Sequence, residues 1–109
     1  MLQIGIYYLG GCPNRQTTVE RVRKVLKQLN VVADVREFRV DNVLAPVLLF
    51  RGSPTVLVNG IDIERSAPTS GVHWRKYTDG AVVEGSPPLQ LIRQAILNAG
   101  GSLTKIAKE

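Results

Sequence analysis

The sequence predicts an α/β domain, a central mixed β-sheet flanked by helices on both faces in the order β-α-β-α-β-β-α. Three observations predict it. An apolar run, an amphipathic stretch and a second strand-like run follow one another over residues 3–40; Asn59-Gly60 separates two short apolar runs; and Ser86-Pro87 opens a last helical pattern that stops at Gly100-Gly101. The frame is that of an ordinary globular domain, with 109 residues, 44% hydrophobic and 21% charged, enough for one packed core but not for two. The domain is read as residues 1–101 and the C-terminal tail as 102–109.

Gln3 to Leu9 is a near-continuous apolar and aromatic run ended by Gly10-Gly11, as in a strand covered on both faces. A helix follows, with Val19, Val22, Leu26 and Leu29 as its apolar stripe and Asn30 as its end. Strand character resumes over 31–40, where Val35, Phe38 and Val40 interleave with charges. Strand, helix, strand of this length is a right-handed βαβ unit with parallel strands. A helix is expected over 41–50 from Val43, Leu44, Val47 and Leu48, although Pro46 interrupts it. Thr55 to Val58 and Ile61 to Ile63 then flank Asn59-Gly60, whose tolerance of positive φ at both positions specifies a type I′ hairpin. Residues 65–71 read as a loop, and 73–77 with 81–83 as a weaker second hairpin about Asp79-Gly80. For the last helix, Ser86 reads as the N-cap and Pro87 as the first helical residue, with Leu89, Ile92, Ala95, Ile96 and Ala99 as the buried stripe.

The formal charge of +5 invites a nucleic-acid reading. Five of the fourteen basic residues fall between Arg15 and Lys27, on the wet faces of the first helix, and only 6% of the chain is aromatic, with no base-stacking motif. Nucleic-acid binding therefore ranks behind the two readings given below. No apolar stretch approaches the ~20 residues of a membrane span, and the run after Met1 is too short and lacks the basic start of a secretory leader. A cytoplasmic protein with no membrane partner is expected. Its single cysteine, Cys12, is then a free thiol in a reducing compartment.

Gly11-Cys12-Pro13-Asn14-Arg15 lies between the first strand and the first helix, and Ser53-Pro54-Thr55 stands just before the third strand. With that element order, these positions resemble the thioredoxin-like superfamily over most of the chain. The stretch from Gly52 to Gly60, G-S-P-T-V-L-V-N-G, is similar to small bacterial thioredoxin-like proteins that open with C-P-N-x, some of which carry alkylmercury-lyase labels. Organomercurial cleavage needs several cooperating thiol and acid groups, and this chain has one thiol. The resemblance implies a catalytic thiol at Cys12 and a cis peptide bond before Pro54. It further implies a substrate-binding surface made by Pro13, Asn14, Arg15, Ser53, Pro54 and Thr55, with the Ser53 backbone open to an extended peptide or to glutathione.

A helix starting beside Cys12 would favour its thiolate, and Arg15 would add positive potential. A competing start is Thr17-x-x-Glu20, a capping-box pattern that would leave Cys12 about five residues upstream of the helix. Where a dithiol member of the family has its resolving cysteine, this chain has Arg15, and Trp74 stands where related sequences tend to carry another cysteine. Dithiol turnover is thereby excluded, unless an external thiol such as glutathione resolves the mixed disulfide.

Two readings remain open. In one, Cys12 is a monothiol that exchanges with glutathione, as co-substrate, or with protein thiols. In the other, the chain is a redox-degenerate, non-catalytic binding or scaffold module, homo-oligomeric through a sheet edge or the apolar surface near Trp74, and Cys12 is a small residue in a tight turn. No metal site is expected, because His73 is the only histidine. Asp62 and Glu64 alternate on one strand face and read as its solvated side.

Overall fold

The computed structural model describes residues 1–41, 50–64, 71–79 and 82–101. The chain is a mixed α/β protein. Strand β1 (Leu2–Leu9) leads into helix α1 (Arg15–Leu29) and parallel strand β2 (Ala33–Val40), which keeps register with β1 over eight residues. After β3 (Arg51–Ser53), β4 (Thr55–Val58) runs antiparallel to β1, and β5 (Ile61–Asp62) turns back on β4. The main sheet therefore has the order β2-β1-β4-β5. The βαβ unit and the hairpin stand where the sequence predicts them.

Alternation along β1 decides what the sheet buries. Leu2, Ile4 and Ile6 join Val56 and Val58 of β4 in the core beneath both helices. Helix α1 contributes Val19, Val22, Val25 and Leu26, and α2 (Leu89–Ile96) contributes Ile92 and Ile96. Each such aliphatic side chain gains about 1.5–3 kcal/mol by leaving water. Both described helices cover this one face. Of the helix expected over 41–50 to cover the other, residues 42–49 lie outside the described residues, as do residues 65–70 of the loop expected over 65–71 and the tail at 102–109; Gly71 opens a strand instead of ending that loop.

The ends of α1 are set by backbone chemistry. Asn30 takes the left-handed conformation at φ 56°, its N–H donates to Lys27 O at 3.2 Å, and the Val31 N–H donates to Leu26 O at 3.0 Å, the two bonds of a Schellman turn. At the other end the helix begins at Arg15, beside the Cys12 turn, as one of the two expected starts has it and not at the competing Thr17-x-x-Glu20 pattern. The Asn14 carbonyl accepts both the Thr18 N–H at 3.1 Å and the Thr18 hydroxyl at 2.7 Å, so the first turn closes three residues earlier than a Thr17 cap would allow.

Two further expectations are corrected. The last helix starts at Leu89, not at Pro87, with Pro88 in the extended cap position. Ser86 is buried and directs its hydroxyl to the Asn14 carbonyl at 3.5 Å, so it is drawn across the molecule instead of capping. Residues 73–77 do not form one arm of a hairpin. Gly71–Trp74 is β6, parallel to β3, while β7 (Tyr77–Asp79) and β8 (Val82–Glu84) pair as the hairpin. The Asn59-Gly60 turn adopts φ 50° and 82°, as its type requires, and ties the sheet together. The Asn59 N–H donates to Gln3 O at 2.7 Å, and the Gln3 N–H donates to Asn59 Oδ1 at 2.9 Å.

Candidate functional site

The chain turns sharply after β1. The Cys12 N–H donates to Leu9 O at 3.1 Å, and Gly11 has φ 78°, the positive value that the third residue of a type II turn requires. Cys12 is partly buried just ahead of α1, with Pro13 exposed and Asn14 at the helix cap. The Asn14 side chain is not a cap. It lies against Gly85, where any larger residue would have to displace it.

The turn is joined to the second half of the candidate site by one hydrogen bond. The Leu9 N–H donates to Ser53 Oγ at 2.9 Å, and Ser53 precedes a cis peptide bond to Pro54. Ser53, Pro54 and Thr55 are all buried. The structure thus brings Cys12 and the Ser53-Pro54-Thr55 segment to the same end of the sheet, linked through Leu9.

Beneath this segment lies a group that sequence reasoning missed. Tyr77 is fully buried and its hydroxyl donates to the Pro54 carbonyl at 2.5 Å. Burial pushes its phenol pKa far above the ordinary value; Arg75 opposes that rise, while Asp62, Glu64 and a Cys12 thiolate add to it. The guanidinium of Arg75 stands 4.7 Å from the centre of the Tyr77 ring and is 3% exposed.

Arg75 is the hub. Its Nη1 and Nη2 each donate to Asp62 at 2.8 Å, Nη1 also reaches Thr55 Oγ1 at 3.2 Å, and Nη2 reaches Glu64 Oε1 at 3.4 Å. Its Nε is buried without a hydrogen-bond partner. Asp62 and Glu64 are accordingly not a solvated strand face; they are a partly buried carboxylate pair closed over a buried guanidinium. The Arg75 pKa is raised: desolvation lowers it, and is outweighed by the Asp62 hydrogen bond and by the charges of Tyr77, Asp62 and Glu64. The missed signal was a lone arginine between two aromatic residues, Trp74-Arg75-Lys76-Tyr77, close to two alternating carboxylates.

Two details differ from the expected binding surface. The backbone at Ser53 is not an open edge, because the Arg75 N–H donates to Ser53 O at 2.9 Å and β6 runs alongside, with Trp74 opposite Ser53. Arg15 does not stand as a free cation beside Cys12. Its Nε donates to Glu37 Oε1 at 2.8 Å, and its guanidinium lies 4.2 Å above the Tyr8 ring. The guanidinium that lies against this turn is that of Arg39, packed on Gly10.

Trp74 is half-exposed, and Gly52, at φ 100°, is covered by the His73 ring, 2.6 Å from where a Cβ would stand. Among the described residues no group of three His, Cys, Asp or Glu could hold a metal ion, and no helix is long and apolar enough to cross a membrane. Chemically, the arrangement offers one thiol on a tight turn, braced from below by a hydrogen-bonded cis-proline segment. No family model, curated protein or solved structure matches the chain.

Proposed function

We propose that the chain is a thioredoxin-like protein in which Cys12 works as a monothiol, exchanging with glutathione or with protein thiols in the reducing environment of the cytoplasm. The observation that carries this reading is the Leu9–Ser53 hydrogen bond, which couples the Cys12 turn to a cis-proline segment across the sheet. The parallel β1-α1-β2 unit, the β4–β5 hairpin and a closing helix on the same face as α1 support the fold.

In the exchange, the Cys12 thiolate attacks one sulfur of glutathione disulfide, forming a Cys12–glutathione bond and expelling glutathione thiolate. A second glutathione thiolate attacks the glutathionyl sulfur of that bond, releasing glutathione disulfide and restoring Cys12. No second protein thiol is needed, and the chain has none. Turnover of a glutathionylated protein substrate by excess glutathione tests the reading. The protein should accelerate release of the glutathionyl group and Cys12→Ser should not; equal rates with the two proteins would reject it.

A second reading is favoured by a different observation. With Ser53 O engaged by Arg75 and β6 in the place of an extended substrate, the fold also suits a non-catalytic binding or scaffold module. Its distinguishing result is a partner retained equally by the protein and by Cys12→Ser.

A further inference from the structure

Strand β2 ends the main sheet, and its outer row of N–H and C=O groups faces no other described strand. Exposed edges are normally blunted by proline, lysine, bulges or very short length. β2 has no proline, lysine or bulge and is eight residues, ADVREFRV, in unbroken register with β1, so its charges, Asp34, Arg36, Glu37 and Arg39, decide what can pair with it. The opposite edge, β5, is only two residues long.

The side chains of β2 divide between the two faces by register. Glu37 and Arg39 pair with Ile6 and Tyr8 and share the helix-covered face; Arg36 and Phe38 pair with Gly5 and Tyr7 on the other. Phe38 is 40% exposed and its ring stacks on Tyr7 at 4.9 Å. Arg39 faces no carboxylate among the described residues, and its guanidinium rests on Gly10.

We infer that the β2 edge is a self-association surface whose occupant is β2 of a second copy of this chain, paired antiparallel about Phe38. Symmetry restricts the choices. A two-fold axis normal to the sheet requires each residue to meet one of the same parity, so a single residue of β2 must lie opposite itself. Centring on Arg36 or on Glu37 sets like charges face to face, at a cost. Centring on Val35 sets Arg36 over the second copy's Asp34, which repeats a pair each chain already makes at 3.1 Å and sets Arg39 against no carboxylate.

Centring on Phe38 sets Arg39, which faces no carboxylate among the described residues, over the second copy's Glu37 twice, so that each Glu37 bridges it and the Arg15 that Glu37 already holds in its own chain. It also sets Phe38 on Phe38 between the two Tyr7 rings, an aromatic row across the joint. The two sheets become one, with β2-β2 at its centre.

The test is association in trans. Glu37→Arg and Arg39→Glu each create two like-charge pairs in a symmetric dimer, so each alone should self-associate roughly 10- to 30-fold more weakly than the wild-type protein in sedimentation equilibrium. Mixing the two variants aligns two opposite-charge pairs and should restore a heterodimer, which also shows that both are folded. In the Cys12→Ser background, Phe38→Cys should oxidise to a disulfide-linked dimer and Val35→Cys should not. The inference is overturned by a wild-type protein that stays monomeric up to millimolar concentration, by single variants that associate like wild type, by a mixture that stays monomeric, or by cross-linking at Val35 in place of Phe38.

Discussion

The main-chain N–H of Arg75 binds the Ser53 carbonyl while the guanidinium of the same residue is gripped by Asp62 through two bonds of 2.8 Å. One residue thus ties the backbone before the cis-proline to the β4–β5 hairpin. A guanidinium so thoroughly removed from water needs its carboxylates, and they need it equally.

Arg75→Met removes the cation and leaves Asp62 and Glu64 uncompensated. Its expected cost is about 3–5 kcal/mol in urea unfolding. The triple variant with Asp62→Asn and Glu64→Gln should recover much of that loss, since no buried charge is then left unpaired. A single variant within the error of wild type would show that the cluster does not hold the segment.

Tyr77→Phe strips the Pro54 carbonyl of its donor, at an expected cost of about 1–3 kcal/mol near neutral pH. The pH dependence has a definite sign. The folded-state phenol pKa is raised by burial, so the unfolded chain loses its proton first, at about pH 10, and the wild type loses stability as pH rises from there toward the folded value. Phenylalanine has no proton to lose. The gap between the two proteins should therefore narrow between pH 7 and pH 11 in parallel denaturation curves, whereas a widening gap contradicts the assignment.

Ser53→Ala leaves the Leu9 N–H without its acceptor. The expected loss is again about 1–3 kcal/mol, with faster hydrogen exchange at the Leu9 amide. If the Cys12 turn is held through this bond, the variant should also slow exchange at Cys12 while leaving the reactivity of the unfolded chain unchanged.

Much of the frame was legible because its signals are local. The stripe Val19, Val22, Leu26 and the positive-φ pair Asn59-Gly60 each specify their element within a few residues. What was not legible depends on partners far along the chain. Asp62 and Glu64 alternate as an exposed strand face does, and only the return of Arg75, 13 residues beyond Asp62, covers them. Asn14 and Ser86 are both favoured N-cap types, yet neither caps by its side chain. The Asn14 amide is taken up against Gly85, and the Ser86 hydroxyl turns to the Asn14 carbonyl, a contact across 72 positions. Pairing of β6 with β3 is likewise non-local and leaves no periodic trace in the residues at 71–74. At the candidate site, the positions of Cys12 and Pro54 were readable from the motifs, but the Tyr77 and Arg75 support beneath them was not.

In the proposed reading the fold makes the Cys12 thiol an exchange site. Its most direct test is the time course of glutathione addition from glutathione disulfide, followed by intact mass, for the folded protein and for the same protein unfolded in urea at one pH. A single adduct at Cys12, absent in Cys12→Ser, should form about tenfold or more faster in the folded chain. A folded protein that reacts no faster than its unfolded chain would contradict it and leave the binding-module reading in its place.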